Sequence, residues 1–474
     1  MANVKQVHLD ARSPERFRDI LGDGYHQIEE ATERAHELLH GRTIWHVNST
    51  ASGGGVAELL FALLPYVRGI GIDTRWVVVG DGPEFFRVTK RLHNHLHGSS
   101  GDGGQLGAEE HATYEDVLAG DARLLAQHVL PGDVVYLHDP QTAGLVERMQ
   151  AAGAKVVWRC HIGVDEPNEL VRRAWRFLLP YLDSADAFVF SRPQYIWEGL
   201  DRDKIWIRPP SIDPSSPKNC DLDPQTVQDI VGAIGLGENR PVRAPVFTRI
   251  DGSPGRIEHP AEIVQEATLP VDSSVVAQVS RWDRLKDPLG LLVCFAAHLD
   301  DPRTHLVLAG PSTAAVSDDP EGAAVLEEVT DAWRALSEAV RRRAHLVSLP
   351  MNDRQENATM VNALQRRADV VVQKSLAEGF GLTVIEAMWK ARAVVASRVG
   401  GIQDQIVDGE SGILIDNPTD LAAFGTAIRT LLEDKPRGGR IGAAARQRAI
   451  DGFVGVRRLV EYLDLVASVA PRSE

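Results

Sequence analysis

Apolar residues in this chain fall into short, nearly continuous runs, separated by stretches in which they recur every three to four positions. TIWHVN (43–48), TRWVVVG (74–80), DVVYLHD (133–139), KVVWRCH (155–161), DAFVFS (186–191) and KIWIRP (204–209) read as strands rich in Val, Ile and Trp. Between them lie segments such as VAELLFALLPYV, whose spacing is helical. Strands apolar on both faces and alternating with helices predict a parallel sheet covered on each side. The rhythm starts again with SVVAQVS (274–280), THLVLAGP (304–311), AHLVSLP (344–350), DVVVQKS (369–375), AVVASRVG (393–400) and GILI (412–415). The pattern thus predicts an α/β protein of two doubly wound, parallel-sheet domains, residues 1–213 and 273–451.

Three segments stand outside this rhythm. Residues 1–40 are charged and helical in character, leading into TIWHVN as the first strand. Residues 214–272 are rich in Pro, Gly and polar side chains, show no strand pattern, and read as an interdomain connection with an insertion. Residues 452–474 contain GFVGVRRLVEYLDLVASV, an amphipathic helix expected to pack back across the domains. Open sheets of this kind bind ligands beyond the C-terminal ends of their strands, so the loops there are expected to line a shared cleft.

Composition narrows the partners. With 474 residues, 43% hydrophobic and 25% charged, the chain is an ordinary globular sequence. A formal net charge of −15 argues against a general nucleic-acid binder or a protein of anionic membrane surfaces. Bound phosphate would need a local cluster of cations and amides. The longest apolar run, Leu289–Leu299, contains His298 and reads as a core helix, not a membrane span. The first twenty residues lack the apolar centre of a secretory signal. Cys160, Cys220 and Cys294 are widely spaced, without a metal-ligand pattern, and fit a reduced cytoplasmic setting.

Candidate chemistry gathers in four loops. In SLAEGFGLTVIEAMWKARAVVASRVGG (375–401), Gly379, Phe380 and Gly381 precede a helix start, where free amides and the helix dipole attract anions. Glu378 lies in that loop, and Glu386 shares a helical stripe with Thr383 and Lys390. A solvated surface stripe is the alternative. SRWDRLKDP (280–288) offers Arg281 and Lys286, a planar fork and a point charge suited to a diphosphate, or simply surface cations answering Asp283 and Asp287. YLHDPQ (136–141) and WRCHIG (158–163) end their strands with His138, Asp139 and His161. Gly53, Gly54 and Gly55 follow the TIWHVN strand and would permit close backbone approach, or form only a tight turn.

SRWDRLKDP, EGFGLTVIEA and the triple glycine, in this order across two sheets, resemble retaining family-4 glycosyltransferases of GT-B architecture, with two Rossmann-like domains. That family's two glutamates, separated by seven residues, are matched by Glu378 and Glu386. More narrowly, NSTASGGGVAELL, YLHDPQTAGL, WRCHIGVDEPN and PPSIDPSSPKN are similar to trehalose glycosyltransferring synthases. The long 214–272 segment departs from the compact members. The resemblance implies reversible transfer of glucose from a nucleoside-diphosphate glucose to glucose.

Carried over, Arg281, Lys286, Glu378 and His161 would be catalytic. Gly54, Gly55, Phe380, Gly381, Leu382 and Glu386 would bind the donor. Asp139, Gln141 and Glu166 would contact the acceptor. The partners implied are a sugar nucleotide and a sugar acceptor, with no nucleic acid, no membrane, no metal and no organic cofactor. The donor base and the choice between monomer and homodimer stay open. So do other readings: a different hexosyl acceptor, a sugar-nucleotide epimerase, a glycan phosphorylase, or a non-catalytic sensor.

Overall fold

The structure is a computed structural model and describes residues 4–51, 55–313 and 321–470, the side chains of 456 and 457 excepted. The chain divides into two compact units, one formed by Met1–Ser211 with Phe453–Glu474, the other by Ile212–Gly452.

The first unit is built on a seven-stranded sheet: β1 (Lys5–Val7), β2 (Ile44–Asn48), β3 (Thr74–Val78), β4 (Val134–His138), β5 (Lys155–Cys160), β6 (Ala187–Phe190) and β7 (Ile205–Ile207). Their spatial order is β1-β3-β2-β4-β5-β6-β7, all parallel except β1 against β3. All five residues of β2 and of β4 are buried, as two covered faces require. The chain winds from β2 outward to β3, then crosses to β4 on the other side. This reversal opens a crevice at the ends of β2 and β4.

The second unit repeats the plan. The hairpin β8 (Val246–Thr248) and β9 (Pro254–Arg256) stands apart from a sheet ordered β10-β13-β12-β11-β14-β15-β16. Its strands are β10 (Glu262–Val264), β11 (Ser274–Val279), β12 (Thr304–Pro311), β13 (Ala344–Leu349), β14 (Val370–Gln373), β15 (Ala393–Ser397) and β16 (Ile413–Ile415). Here the reversal lies between β11 and β14. The loops that leave those two strands are the arginine–lysine and glutamate loops of the sequence. Each unit has its own apolar core. Every fully buried Val, Leu, Ile or Phe there contributes about 1.5–3 kcal/mol.

Three expectations are corrected. The first strand of the chain is β1, not TIWHVN; three residues on an antiparallel edge are too short to show a period. Residues 214–272 are not a separate connection but part of the second unit. A helix, Pro224–Ala233, is capped by Asp223, and β10 pairs antiparallel with β13. Side chains hold the remainder: Asn362 donates to the carbonyls of Pro217 and Cys220, and Arg367 to those of Pro270, Val271 and Ser273. Finally, the C-terminal helix Gly455–Val469 is part of the first unit, where it packs against the helices His26–Leu39 and Gly55–Gly69, with Arg34 3.0 Å from Asp464. No helix among the described residues is long and apolar enough to cross a membrane.

Candidate active site

In the second unit, backbone and side-chain hydrogen bonds stitch two loops together. Leu376 N donates to Leu285 O (2.7 Å), Gln278 Nε2 to Lys286 O (2.9 Å), and Lys374 N to Gln278 Oε1 (3.0 Å). Asp287 adopts a left-handed conformation (φ 47°), caps the helix Pro288–His298 through Gly290 N, and accepts from the buried Lys374 ammonium. The result is a rigid frame around Lys286 and Glu378, whose side chains meet at 2.5 Å while only 16% and 11% exposed. Ser375 Oγ adds a donor to Glu378 at 3.3 Å. Arg281 leaves the same loop two-fifths exposed, 3.6 Å from Asp283.

Past Glu378, Gly381 takes φ 87°, and the helix Leu382–Trp389 begins with no side-chain cap. Gln405 donates to Phe380 O at 2.5 Å, and Gly401 N to Gly379 O at 3.1 Å. Gly401 is required for space. A Cβ there would lie 2.7 Å from Phe380 Cα and 2.9 Å from Gly379 O. The loop of Phe380, Gly381 and Leu382 is therefore held from behind, at the start of a helix whose dipole favours negative charge.

The solvated-stripe alternative does not hold, because that helix is buried. Glu386 is 2% exposed, and Lys218 approaches it at 3.0 Å. Lys390 donates to Asn219 Oδ1 (3.0 Å), Gln365 Oε1 (2.8 Å) and the Glu386 carbonyl (3.2 Å), while burial pushes its pKa down to about 7. Sequence reasoning missed Lys218. It lies in PPSIDPSSPKN, a segment singled out for resemblance but given no side-chain role.

The first unit brings together a different set. Asp139 follows β4 at φ 63°, 8% exposed, and accepts from His161 N at 2.7 Å. Burial pushes its pKa up to about 7, against that hydrogen bond and the Arg159 charge. His161 Nε2 lies 3.2 Å from His138 Nδ1, and His138 Nε2 lies 3.0 Å from His46 Nδ1. His46 Nε2 is 2.8 Å from the Tyr462 hydroxyl on the C-terminal helix.

Register explains this row. His46 of β2 pairs with Tyr136 of β4, and His138, two residues further, points to the same face. Burial, with the nearby Arg159 guanidinium as a lesser cause, holds all three imidazoles below their ordinary range, His46 at about 3. His46, His138, His161, Arg159, Arg208 and Tyr462 line a cavity enclosing about 570 Å³ of empty space including its mouth.

The remaining expected residues are placed less centrally. Gln141 is half-buried in the turn Pro140–Leu145 and does not line the cavity, and neither does Asp139. Glu166 is exposed on the loop after β5 and is not among the residues that line the cavity. Gly55 begins the helix Gly55–Gly69 and is exposed; Gly54 lies outside the described residues. His46 and Tyr462 were missed. A histidine inside an otherwise apolar strand was the available signal for His46, while nothing local marks Tyr462.

Comparison with known proteins agrees with this architecture. Residues 46–197 match the family described as trehalose synthase, N-terminal domain, and residues 261–448 that described as glycosyl transferases group 1. A trehalose synthase of Pyrococcus horikoshii is 33% identical over 472 residues, covering 99% of each chain. One from Rubrobacter xylanophilus is 35% identical, covering 98% of this chain and 99% of its own. A trehalose phosphorylase of Pleurotus pulmonarius is 27% identical over 96% of this chain but 61% of its own. Among solved structures, a UDP-forming trehalose-phosphate synthase from Burkholderia xenovorans shares the fold, with TM-score 0.66 and 16% identity, covering 91% of this chain and 99% of its own.

Proposed function

Because the chain belongs to the trehalose synthase family of GT-B glycosyltransferases, we propose that it moves glucose from a nucleoside-diphosphate glucose to free glucose. Trehalose forms reversibly, with retention at the anomeric carbon. The observation that carries the donor half is the Lys286–Glu378 contact, framed by the loops after β11 and β14 at the sheet's reversal.

In this reading Lys286, Arg281 and the amides from Phe380 to Leu382 hold the diphosphate. As the anomeric C–O bond breaks, the sugar becomes oxocarbenium-like and the electron pair passes to the departing phosphate oxygen. Positive groups fixed there stabilise the charge that develops. Glu378, anchored by Lys286 and Ser375, accepts hydrogen bonds from hydroxyls of the transferred glucose. The acceptor hydroxyl attacks the same face and its proton goes to the leaving phosphate oxygen, so neither glutamate serves as a glycosidase acid or nucleophile. No metal or organic cofactor is assigned a role. Glu386 takes the ribose hydroxyls, and for this Lys218 must share or yield its carboxylate. Asp139 and Gln141 are assigned to the acceptor, His161 to the transferred sugar.

Phosphate in place of the nucleotide is the second reading, favoured by the phosphorylase relatives. Incubating the protein with glucose and, separately, ADP-, UDP- and GDP-glucose or glucose 1-phosphate decides between them. Product mass and linkage identify trehalose. Turnover with glucose 1-phosphate alone overturns the nucleotide donor, and turnover with none of these overturns the proposal.

A further inference from the structure

Three arginines line the cavity of the first unit, and none of them has a part in the proposed glucosyl transfer. The charged side chains of the lining are Arg159 of β5, Arg208 just after β7, and Arg458 and Glu461 of the C-terminal helix. Glu461 Oε2 serves two of the guanidiniums, at 2.5 Å from Arg458 and 3.7 Å from Arg208. Arg159 forms no ion pair among the described residues. Its Nη2 donates to the Arg208 carbonyl at 2.9 Å, and Arg208 Nη1 donates to the Ile207 carbonyl at 2.9 Å, contacts that neutralise no charge. The three imidazoles of the lining are neutral, held below their ordinary range by burial, so they add none either.

The surroundings sharpen this imbalance. Arg458 stands in the first turn of the helix Gly455–Val469, a turn without an acidic residue. A cation at that end opposes the helix dipole, so helix formation alone disfavours it there. Val56, Leu59, Leu60, Leu63 and Leu465 complete the wall with apolar groups. Such a wall lowers the local dielectric, which makes an uncompensated guanidinium costly and an added anion strongly favourable. A structural ion-pair network would match its charges; this lining sets three positive groups against one negative.

We propose that the cavity of the first unit is a binding site for a phosphate dianion, either the free ion or the monoester of a small sugar. Two positive charges in excess match a dianion, and planar guanidinium forks suit tetrahedral oxyanions better than point charges do. The ligand completes the charge balance that Glu461 begins, and it joins β5, the segment after β7 and the C-terminal helix through one group. The site needs no transfer reaction and does not rest on the glucosyl reading.

Titration calorimetry with inorganic phosphate and, separately, glucose 6-phosphate tests this, at fixed chloride concentration and with glucose as the uncharged control. Both the full-length parent protein and Lys286→Met are titrated, because Lys286 is a cation of the second unit. Saturable binding of at least one of the two phosphates is expected in both proteins. Adding Arg159→Gln or Arg458→Gln to Lys286→Met should weaken it about tenfold or more, the usual loss for a hydrogen bond to a charged group. Melting curves without phosphate confirm that each variant folds. Tighter binding of glucose 6-phosphate identifies the monoester as the ligand, and tighter binding of inorganic phosphate the free ion. Absence of binding by the parent protein, its loss in Lys286→Met, or its persistence in both folded arginine variants overturns the proposal. Failure of the donor screen would sink the glucosyl reading and leave this binding result standing.

Discussion

Asp139→Asn is the substitution whose effect the structure sizes most directly. The Asp139 carboxyl is buried, and its pKa is pushed from the ordinary 3.8 up to about 7. A carboxyl that holds its proton more tightly when folded stabilises the fold in acid. That contribution is fully present below about pH 4 and is lost as pH rises through about 7. At ~1.4 kcal/mol per unit of separation, the loss amounts to at most about 4 kcal/mol. Asparagine keeps the volume, meets the same backbone conformation as the parent aspartate (φ 63°, ψ 176°), and can still accept from His161 N, but carries no charge. Urea unfolding of both proteins at pH 4.5, 6 and 8 should therefore show the parent protein losing stability relative to Asp139→Asn, by several kcal/mol over the series. Most of the change should fall between pH 4.5 and 7. A gap independent of pH, or one favouring the parent protein as pH rises, would refute the burial argument. On the proposed function, the same variant should also raise the KM for the acceptor while leaving that for the donor unchanged.

Other substitutions test the second unit. Lys286→Met should lower kcat about 100-fold or more, the usual cost of removing one fixed group at developing charge, while circular dichroism shows the fold retained; kcat within threefold of the parent would remove Lys286 from the diphosphate. Lys218→Met takes an ammonium from a buried carboxylate and should lower the melting temperature, with Lys218→Met/Glu386→Gln recovering part of the loss in scanning calorimetry. Glu386→Gln alone should weaken nucleotide binding by titration calorimetry, and unchanged affinity would take it off the ribose. Gly401→Ala should abolish most turnover, since the new methyl meets the backbone of Phe380 and Gly379 and must displace the glutamate loop; normal kinetics would show that the loop tolerates the shift.

The local pattern of residues determined the two parallel sheets, the helices between them and the loops that carry charge. Burying a strand on both faces leaves a continuous apolar run, and burying one face of a helix leaves a period, and both are visible one residue after another. The placement of Arg281, Lys286, Glu378 and Glu386 was legible for the same reason, because each sits in a short motif at a strand end or helix start. Short edge elements such as β1 and β10 were not, since three residues make no period and their pairing partners lie far away. Lys218 reaches Glu386 across 168 positions of sequence, and Tyr462 reaches His46 across 416. Only the tertiary structure decides such pairs, because they follow from strand register, from the crossing at the sheet's reversal, and from a C-terminal helix that returns to the unit where the chain began. Periodicity records which side of an element is buried; it carries no information about what that side will touch.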